Sequence, residues 1–338
     1  MIGDAIISDM AHRLEATPAV TGELLDEVAQ ALGREPVEVS YVTSGAAGHI
    51  FRLNMRGGDS VILKTARSDR PAAFEGEAAG LRFLASTNTV LVPEVLAVGP
   101  HYLVLEDLGD PVGQPSDAAW ETFGEQVGRM HAITGQRFGY FNAADFNVSR
   151  ETSAPSEEHH PSVEPVETTA SHNSSVEEPR ERRLETTGDA PTWIDFYAAE
   201  RIIPLFEYMQ NPEVLTAEDR AGILRIIEKL GSQVPPGKPS LGHGDLWREN
   251  VHLGADGRLY LIDPALDFTH PEADLATSQM YEVFPPKFYE GYRKARPLDA
   301  DWTDRLPLYQ LKEILYMTGQ FKHEPSIKLL RECIEKYQ

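Results

Sequence analysis

The sequence predicts an α+β protein of two lobes, an antiparallel sheet with one packed helix followed by a larger, mainly helical lobe. Three observations carry this expectation. Short β-rich runs separated by glycines fill the first third of the chain. A single helical run interrupts them. From Asp117 the apolar period becomes helical, through Trp120, Phe123, Val127 and Met130. The 338 residues suffice for two packed units, with the expected boundary between residues 1–108 and 109–338.

The elements follow in order. Helical spacing marks 4–16 and 21–32. Strands are expected over 37–44, 49–55 and 60–65, with Gly45, Gly48, Gly57 and Gly58 between them as hairpin residues. Phe74, Ala78, Leu81 and Leu84 define the buried stripe of a helix over 72–85. Two more strands cover 95–99 and 102–105. In the second lobe, helices are expected over 194–209, 217–230, 272–280, 287–295, 302–318 and 326–336. Between them, residues 253–263 read as a hairpin around Ala255-Asp256-Gly257, in a small sheet carrying Asp263. Residues 142–192 are rich in Ser, Thr, Glu and Pro and poor in large apolar side chains, with a weak internal repeat. Such a segment cannot bury enough surface to offset its ordering entropy, so it is expected to be a disordered insertion in the second lobe.

A net charge of −22 opposes sequence-independent binding to nucleic acid or to an anionic membrane, since both need a positive surface. The one cysteine, Cys333, excludes an intrachain disulfide. Asp4, Asp9 and Arg13 interrupt any apolar leader, and no apolar run approaches the ~18 residues of a membrane span. The cytoplasm is the expected compartment.

Chemistry concentrates in His243-Gly244-Asp245-Leu246-Trp247-Arg248-Glu249-Asn250, followed by Leu261-Ile262-Asp263-Pro264. A single Asp or Asn in a turn is usually a cap. Asp-x-x-x-x-Asn with a second Asp after a hairpin is the spacing of a kinase catalytic loop and its metal site. Asp245 would take the acceptor hydroxyl's proton, and Asn250 and Asp263 would hold Mg²⁺ through hard oxygen atoms. His243 reads as a ring bracing the loop. Upstream, Lys64 ends a strand and Glu77 follows in the next helix, the arrangement of an ion pair that positions ATP phosphates, with Glu75 as the alternative partner. The hairpin from Gly45 to Gly48 could cover those phosphates. The backbone near Glu106 and Leu108 would meet the adenine. The expectation is a two-lobed protein-kinase-like fold using ATP and Mg²⁺.

The chain further resembles the fructosamine kinase (ketosamine 3-kinase) family, within the aminoglycoside-phosphotransferase-like kinases. The resemblance rests on Phe74-Glu75-Gly76-Glu77-Ala78-Ala79-Gly80-Leu81, on His243 to Trp247, and on Leu261 to Ala265. It extends through His270-Pro271-Glu272-Ala273-Asp274-Leu275-Ala276, Phe284-Pro285-Pro286-Lys287-Phe288-Tyr289 and Pro297-Leu298-Asp299 with Arg305, Leu308 and Tyr309. It implies transfer of the ATP γ-phosphoryl group to the 3-hydroxyl of a small-molecule or protein-bound ketosamine. The unstable 3-phosphate then leaves, repairing a glycated amine. It also implies that Trp247, His270, Glu272 and Asp274 line or support the acceptor site. Many members carry a Cys in the phosphate loop where this chain has Ala46, so no loop-disulfide switch is expected. A kinase for another hydroxyl compound (an aminoglycoside, choline or a sugar) would use the same catalytic residues. A degenerate kinase-fold binding module would be expected to have lost one of Lys64, Glu77, Asp245, Asn250 or Asp263, and all are present.

Overall fold

A computed structural model describes residues 20–44, 48–66, 74–141, 190, 192–209, 211–280 and 283–338. The expected helix over 4–16, the loop residues Gly45 and Ala46, and the insertion over 142–192 except residues 190 and 192 lie outside the described residues.

Helix α1 (Gly22–Leu32) opens on Thr21, whose hydroxyl accepts the Leu24 amide at 3.3 Å. It closes on Gly33 in the left-handed region. The strands β1 (Pro36–Ser44), β2 (Gly48–Met55), β3 (Ser60–Ala66), β4 (Val95–Gly99) and β5 (Tyr102–Glu106) form one antiparallel sheet in the order β1-β2-β3-β5-β4. Helix α2 (Phe74–Thr87) connects β3 to β4. Strand alternation divides the sheet's two faces. Phe51, Leu53, Met55, Val61 and Leu63 pack with Val28 of α1. Phe74, Ala78 and Leu81 of α2 pack with Leu103 and Leu105, with Ile62 beside them. Ile50 pairs with Lys64 and Arg52 with Ile62. Lys64 therefore rises from the α2 side of the sheet, which is what brings it to Glu77.

The second lobe is mainly helical. Helices α3 (Asp117–Met130) and α8 (Pro286–Ala295) pack in close contact. A Cβ added at Gly124 would lie 1.9 Å from the Phe288 carbonyl, and one at Gly291 would lie 1.8 Å from the Glu121 carbonyl. The run expected as one helix over 194–209 is broken into α4 (Trp193–Phe196), a π-helical stretch Tyr197–Ile202 and α5 (Ile203–Tyr208). Pro204 explains the break. It has no amide for the Glu200 carbonyl one turn back, and the Tyr140 hydroxyl donates to that carbonyl instead, at 3.1 Å. Helices α6 (Ala217–Gln233), α7 (Pro271–Thr277), α9 (Leu306–Phe321) and α10 (Glu324–Tyr337) complete the lobe. The helix expected over 302–318 starts later because Trp302–Arg305 is a 3₁₀ turn, with Pro307 in the first turn of α9.

Two small sheets complete this lobe. Strands β6 (Gly139–Tyr140), β7 (Ser240–Gly242) and β10 (Asp267–Thr269) pair in the order β6-β10-β7. Strands β8 (Val251–Leu253) and β9 (Leu259–Leu261) form the expected hairpin. Asp263 is not in this sheet. It follows β9 with a φ of 53°, a turn conformation in which the carboxylate leaves the strand direction. No helix among the described residues is long and apolar enough to cross a membrane.

Candidate active site

Lys64 is 8% exposed, and its ammonium donates to Glu77 at 2.7 Å and also to the Asp263 carboxylate. Glu75, two residues before Glu77 and turned off that face of α2, is exposed. One lysine thus serves two carboxylates. Burial works against the Lys64 charge, but Asp263 and Glu77 outweigh it and raise its pKa. Burial pushes the Glu77 carboxyl up to about 7, with Lys64 opposing and Asp263 adding to the rise. Burial acts on Asp263 in the same sense, but the charge and hydrogen bond of Lys64 hold its carboxyl below the usual range. Asp263 is therefore the carboxylate that stays ionised, and Glu77 the one that protonates first.

The loop that carries Asp245 leaves β7 through Gly244, whose φ is 78°. A Cβ there would lie 2.0 Å from the Ala265 carbonyl, so only glycine fits. The His243 and Gly244 amides both donate to the buried Asp274 carboxylate, at 2.5 and 3.0 Å. The His243 ring donates through Nε2 to the Ile262 carbonyl at 3.0 Å, the bracing role expected of it. After a 3₁₀ turn (Arg248–Asn250), Asn250 donates through Nδ2 to the Asp245 carbonyl at 2.8 Å and to its Oδ2 at 3.0 Å. The Ile262 amide donates to the Asn250 carbonyl at 3.1 Å. The neighbourhood of Asp263 is thereby fastened to the loop that carries Asp245. Gly80 of α2 sits against Pro264 and Leu266, so the helix carrying Glu77 abuts the segment carrying Asp263.

Asn250 and Asp263 offer one amide and one carboxylate oxygen. Such a hard donor pair suits a cation like Mg²⁺, which binds few protein ligands and shares phosphate oxygens. The Lys64 ammonium beside Asp263 would offer a cation to the same phosphates. The residues present therefore fit a metal–nucleotide complex.

The hinge after β5 is held from both lobes. The Glu106 amide donates to Glu94 and the Leu108 carbonyl accepts from Ala255, both at 2.9 Å. Asp107 accepts from Ser60 at 2.6 Å and from the Gly109 amide at 3.0 Å, and its carboxylate meets Arg52 at 2.6 Å. Arg52 also reaches Asp110 at 2.7 Å, and the His252 ring lies 3.2 Å from the Gly109 carbonyl. Sequence reasoning missed this clamp, because a β2 arginine carries no signal pointing to a hinge 55 residues away. Gly48 is placed at the start of β2, packed on the Thr65 carbonyl.

Of the acceptor candidates, Trp247 is half-buried, two residues after Asp245. The other three are buried and engaged within the protein. Glu272 receives Arg305 at 2.6 and 2.9 Å. The Tyr309 hydroxyl donates to His270 Nδ1 at 3.0 Å. Asp274 holds the loop amides and meets His131 Nε2 at 3.2 Å. Cys333 is buried, and burial pushes its thiol up to about 12.

Comparison with known proteins places this geometry. The family model described as fructosamine kinase matches residues 22–155 and 186–337. "Probable ketoamine kinase YniA" of Escherichia coli O157:H7 is 31% identical over 295 residues, covering 85% of this chain and 89% of that one. Among solved structures, a candidate fructosamine-3-kinase from Thermobifida fusca YX-ER1 superposes with a TM-score of 0.72 at 25% identity, covering 94% of this chain and all of that one. The gentamicin complex of APH(2")-IIa shares the fold alone, with a TM-score of 0.55 at 15% identity, covering 95% and 96% of the two chains. The fold is the two-lobed protein-kinase-like α+β fold, and the chain, matched along both lobes, belongs to the fructosamine kinase family of ATP-dependent phosphotransferases.

Proposed function

We propose that the protein transfers the γ-phosphoryl group of ATP to the 3-hydroxyl of a ketosamine, a sugar adduct on an amine or a lysine side chain. One observation carries the assignment of roles. Asn250 holds the Asp245 carboxylate at 3.0 Å while the backbone bond from Ile262 draws Asp263 to the same loop. A proton acceptor and a pair of metal-binding oxygens then share one wall of the cleft, with Lys64 opposite.

In this reading Asp245 orients the acceptor hydroxyl and takes its proton as the new O–P bond forms. The bond to the β,γ-bridging oxygen breaks, and ADP leaves with that electron pair. Asn250 and Asp263 would hold Mg²⁺, which when bound neutralises charge on the β- and γ-phosphates. Lys64 turns from Asp263 to the phosphates, and Glu77 keeps its ammonium in place. The backbone at Glu106 and Leu108 meets the base, and the segment leading into Gly48 would cover the phosphates. Trp247 lines the acceptor side, while His270, Glu272 and Asp274 support it from behind. The 3-phosphate is unstable, so its loss would free the amine.

The deciding measurement is Mg²⁺-dependent ADP release with fructosyl-, ribulosyl- and erythrulosyl-lysine, beside an aminoglycoside panel. Acceptor-dependent release with a ketosamine supports the reading. Release only with aminoglycosides moves the protein to another acceptor class. Release with none of these acceptors, from folded protein that binds ATP, rejects it.

A further inference from the structure

Arg52 belongs to the hinge clamp but has no part in the phosphotransfer reading. Ser60, Ile62 and Lys64 alternate along β3 and so share one face of the sheet. Arg52 joins that face, because it pairs with Ile62 while Ile50 pairs with Lys64. At the rise of a strand, Ser60 and Lys64 stand about 13 Å apart. At the Lys64 end, the ammonium meets Glu77 and Asp263. At the Ser60 end, the hydroxyl donates to Asp107 of the hinge at 2.6 Å.

Arg52 fastens that second end. Its guanidinium reaches the Asp107 carboxylate at 2.6 and 3.3 Å and the Asp110 carboxylate at 2.7 and 3.1 Å. One planar cation thus serves two carboxylates of the same short segment, which the fork of a guanidinium allows and an ammonium does not. The two contacts differ in weight. The Asp107 side chain is 5% exposed and that of Asp110 is 81% exposed. Water screens the Asp110 contact, so it contributes little. Removing Arg52 would leave Asp107 a buried carboxylate without its cation. Burial works against the Asp107 charge, yet Ser60 and Arg52 hold its carboxyl below the usual range.

The backbone on either side of Asp107 is pinned as well. The Glu106 amide donates to the Glu94 carbonyl, the Gly109 amide to Asp107 Oδ1, and the Ala255 amide of the second lobe to the Leu108 carbonyl. A segment held from both lobes presents its amides and carbonyls in fixed directions, so little ordering is left to be done when a ligand binds. Fixed directions also discriminate. Adenine carries an amino donor where guanine carries a carbonyl acceptor. A carbonyl that cannot turn away suits the first and opposes the second.

We propose that Arg52 is a positioning residue for the nucleotide: by holding Asp107 and Asp110 it orients the backbone at Glu106 and Leu108 so that adenine is preferred over guanine. The inference rests on the placement of the base in the phosphotransfer reading and adds the side chain that makes that placement selective. Arg52 acts through the hinge and touches neither the transferred phosphate nor the acceptor.

The test measures calorimetric Kd values for MgADP and MgGDP in wild type, Arg52→Ala and Arg52→Lys, with melting temperatures alongside. Wild type should bind MgADP about tenfold or more tightly than MgGDP. Arg52→Ala should weaken MgADP about tenfold and leave MgGDP within about twofold, so that the preference collapses. Arg52→Lys restores a charge without the fork and should recover part of the preference. An unchanged preference in Arg52→Ala overturns the proposal. So does an equal weakening of both nucleotides with a lower melting temperature, the mark of a residue that only stabilises the fold. Should Arg52→Ala fail to fold, Arg52→Lys decides by the same ratio. Wild type that binds both nucleotides equally removes base recognition at the hinge, and the proposal with it. Wild type that binds neither rejects the nucleotide reading itself, and both results are seen before any variant is made.

Discussion

The Ile262 amide donates to the Asn250 carbonyl at 3.1 Å, and this one backbone bond ties the segment carrying Asp263, the proposed metal ligand, to the loop carrying Asp245, the proposed proton acceptor. Asp263, next along the chain, has a φ of 53°, which Asn tolerates far better than Ala does. Asp263→Asn is therefore the clean way to remove its charge. We expect metal-dependent ADP release to fall by about 10³-fold, the scale for losing one preorganised charge-stabilising group, with the melting profile close to wild type. Unchanged acceptor-dependent ADP release in this variant would reject the metal assignment.

Asp274 anchors the loop rather than presenting a carboxylate to solvent. Its oxygens accept the His243 and Gly244 amides and meet His131. Asp274→Asn turns an NH₂ group toward amide donors inside the protein. The expected cost is about 3–5 kcal/mol, as for breaking a buried charge pair. Displacing Asp245, the proposed base, by about 1 Å should lower kcat about 10²-fold. Urea denaturation and kcat are the readouts, with KM for ATP near wild type. A variant as stable as wild type would show that the loop does not depend on this carboxylate.

Much of this was legible in the sequence, and the exceptions have physical causes. The juxtaposition of Asp245, Asn250 and Asp263 could be read because they recur at a short, fixed spacing, and the structure joins them through the Asn250–Asp245 and Ile262–Asn250 bonds. Lys64 and Glu77 could be read because strand and helix periods fix which side chains face each other. The sheet β6-β10-β7 could not, because strands of two or three residues are too short to show alternation. The π-helical stretch left one trace, Pro204 inside an otherwise regular helical run, but the Tyr140 hydroxyl that satisfies Glu200 lies 60 residues away. The Arg52–Asp107 clamp and the Arg201–Asp267 pair are likewise long-range products of the fold.

His270 should impose a pH dependence on stability. Burial, with the charges of Arg296 and Arg305, pushes its ring down to about 3, from an ordinary value of 6.5. Below pH 6.5 the unfolded chain takes up a proton that the folded ring refuses, so the unfolded state binds more protons and stability falls as pH falls. The contribution is whole above pH 6.5 and is lost progressively toward pH 3. Between pH 6.5 and 5 the loss should be about 2 kcal/mol. His270→Asn should be less stable at neutral pH, because it gives up the Tyr309 bond, yet its stability should change less with acidification. Urea midpoints at pH 7.5, 6 and 5 measure both slopes, and parallel slopes would remove His270 as the source.

The last prediction concerns Asp245. Phosphoryl transfer leaves the protein little covalent work, so positioning and charge stabilisation dominate. Asn250 holds Asp245 Oδ2 at 3.0 Å, leaving the carboxylate oriented before any acceptor arrives. Asp245→Ala should lower turnover by roughly 10²–10⁴-fold, the range for a positioned acid or base. ATP binding should change much less, because Lys64 and the segment at Glu106–Leu108, to which the proposed function assigns the nucleotide, are untouched. Asp245→Asn separates two ways the carboxylate could act. An amide can still orient a hydroxyl but cannot take its proton. If proton acceptance matters, Asn should be as poor as Ala. If orientation dominates, Asn should recover part of the loss at unchanged KM for ATP. Near-normal turnover in the Ala variant would show that Asp245 is not the base, and a folded Ala variant unable to bind ATP would place it among the nucleotide or metal ligands instead.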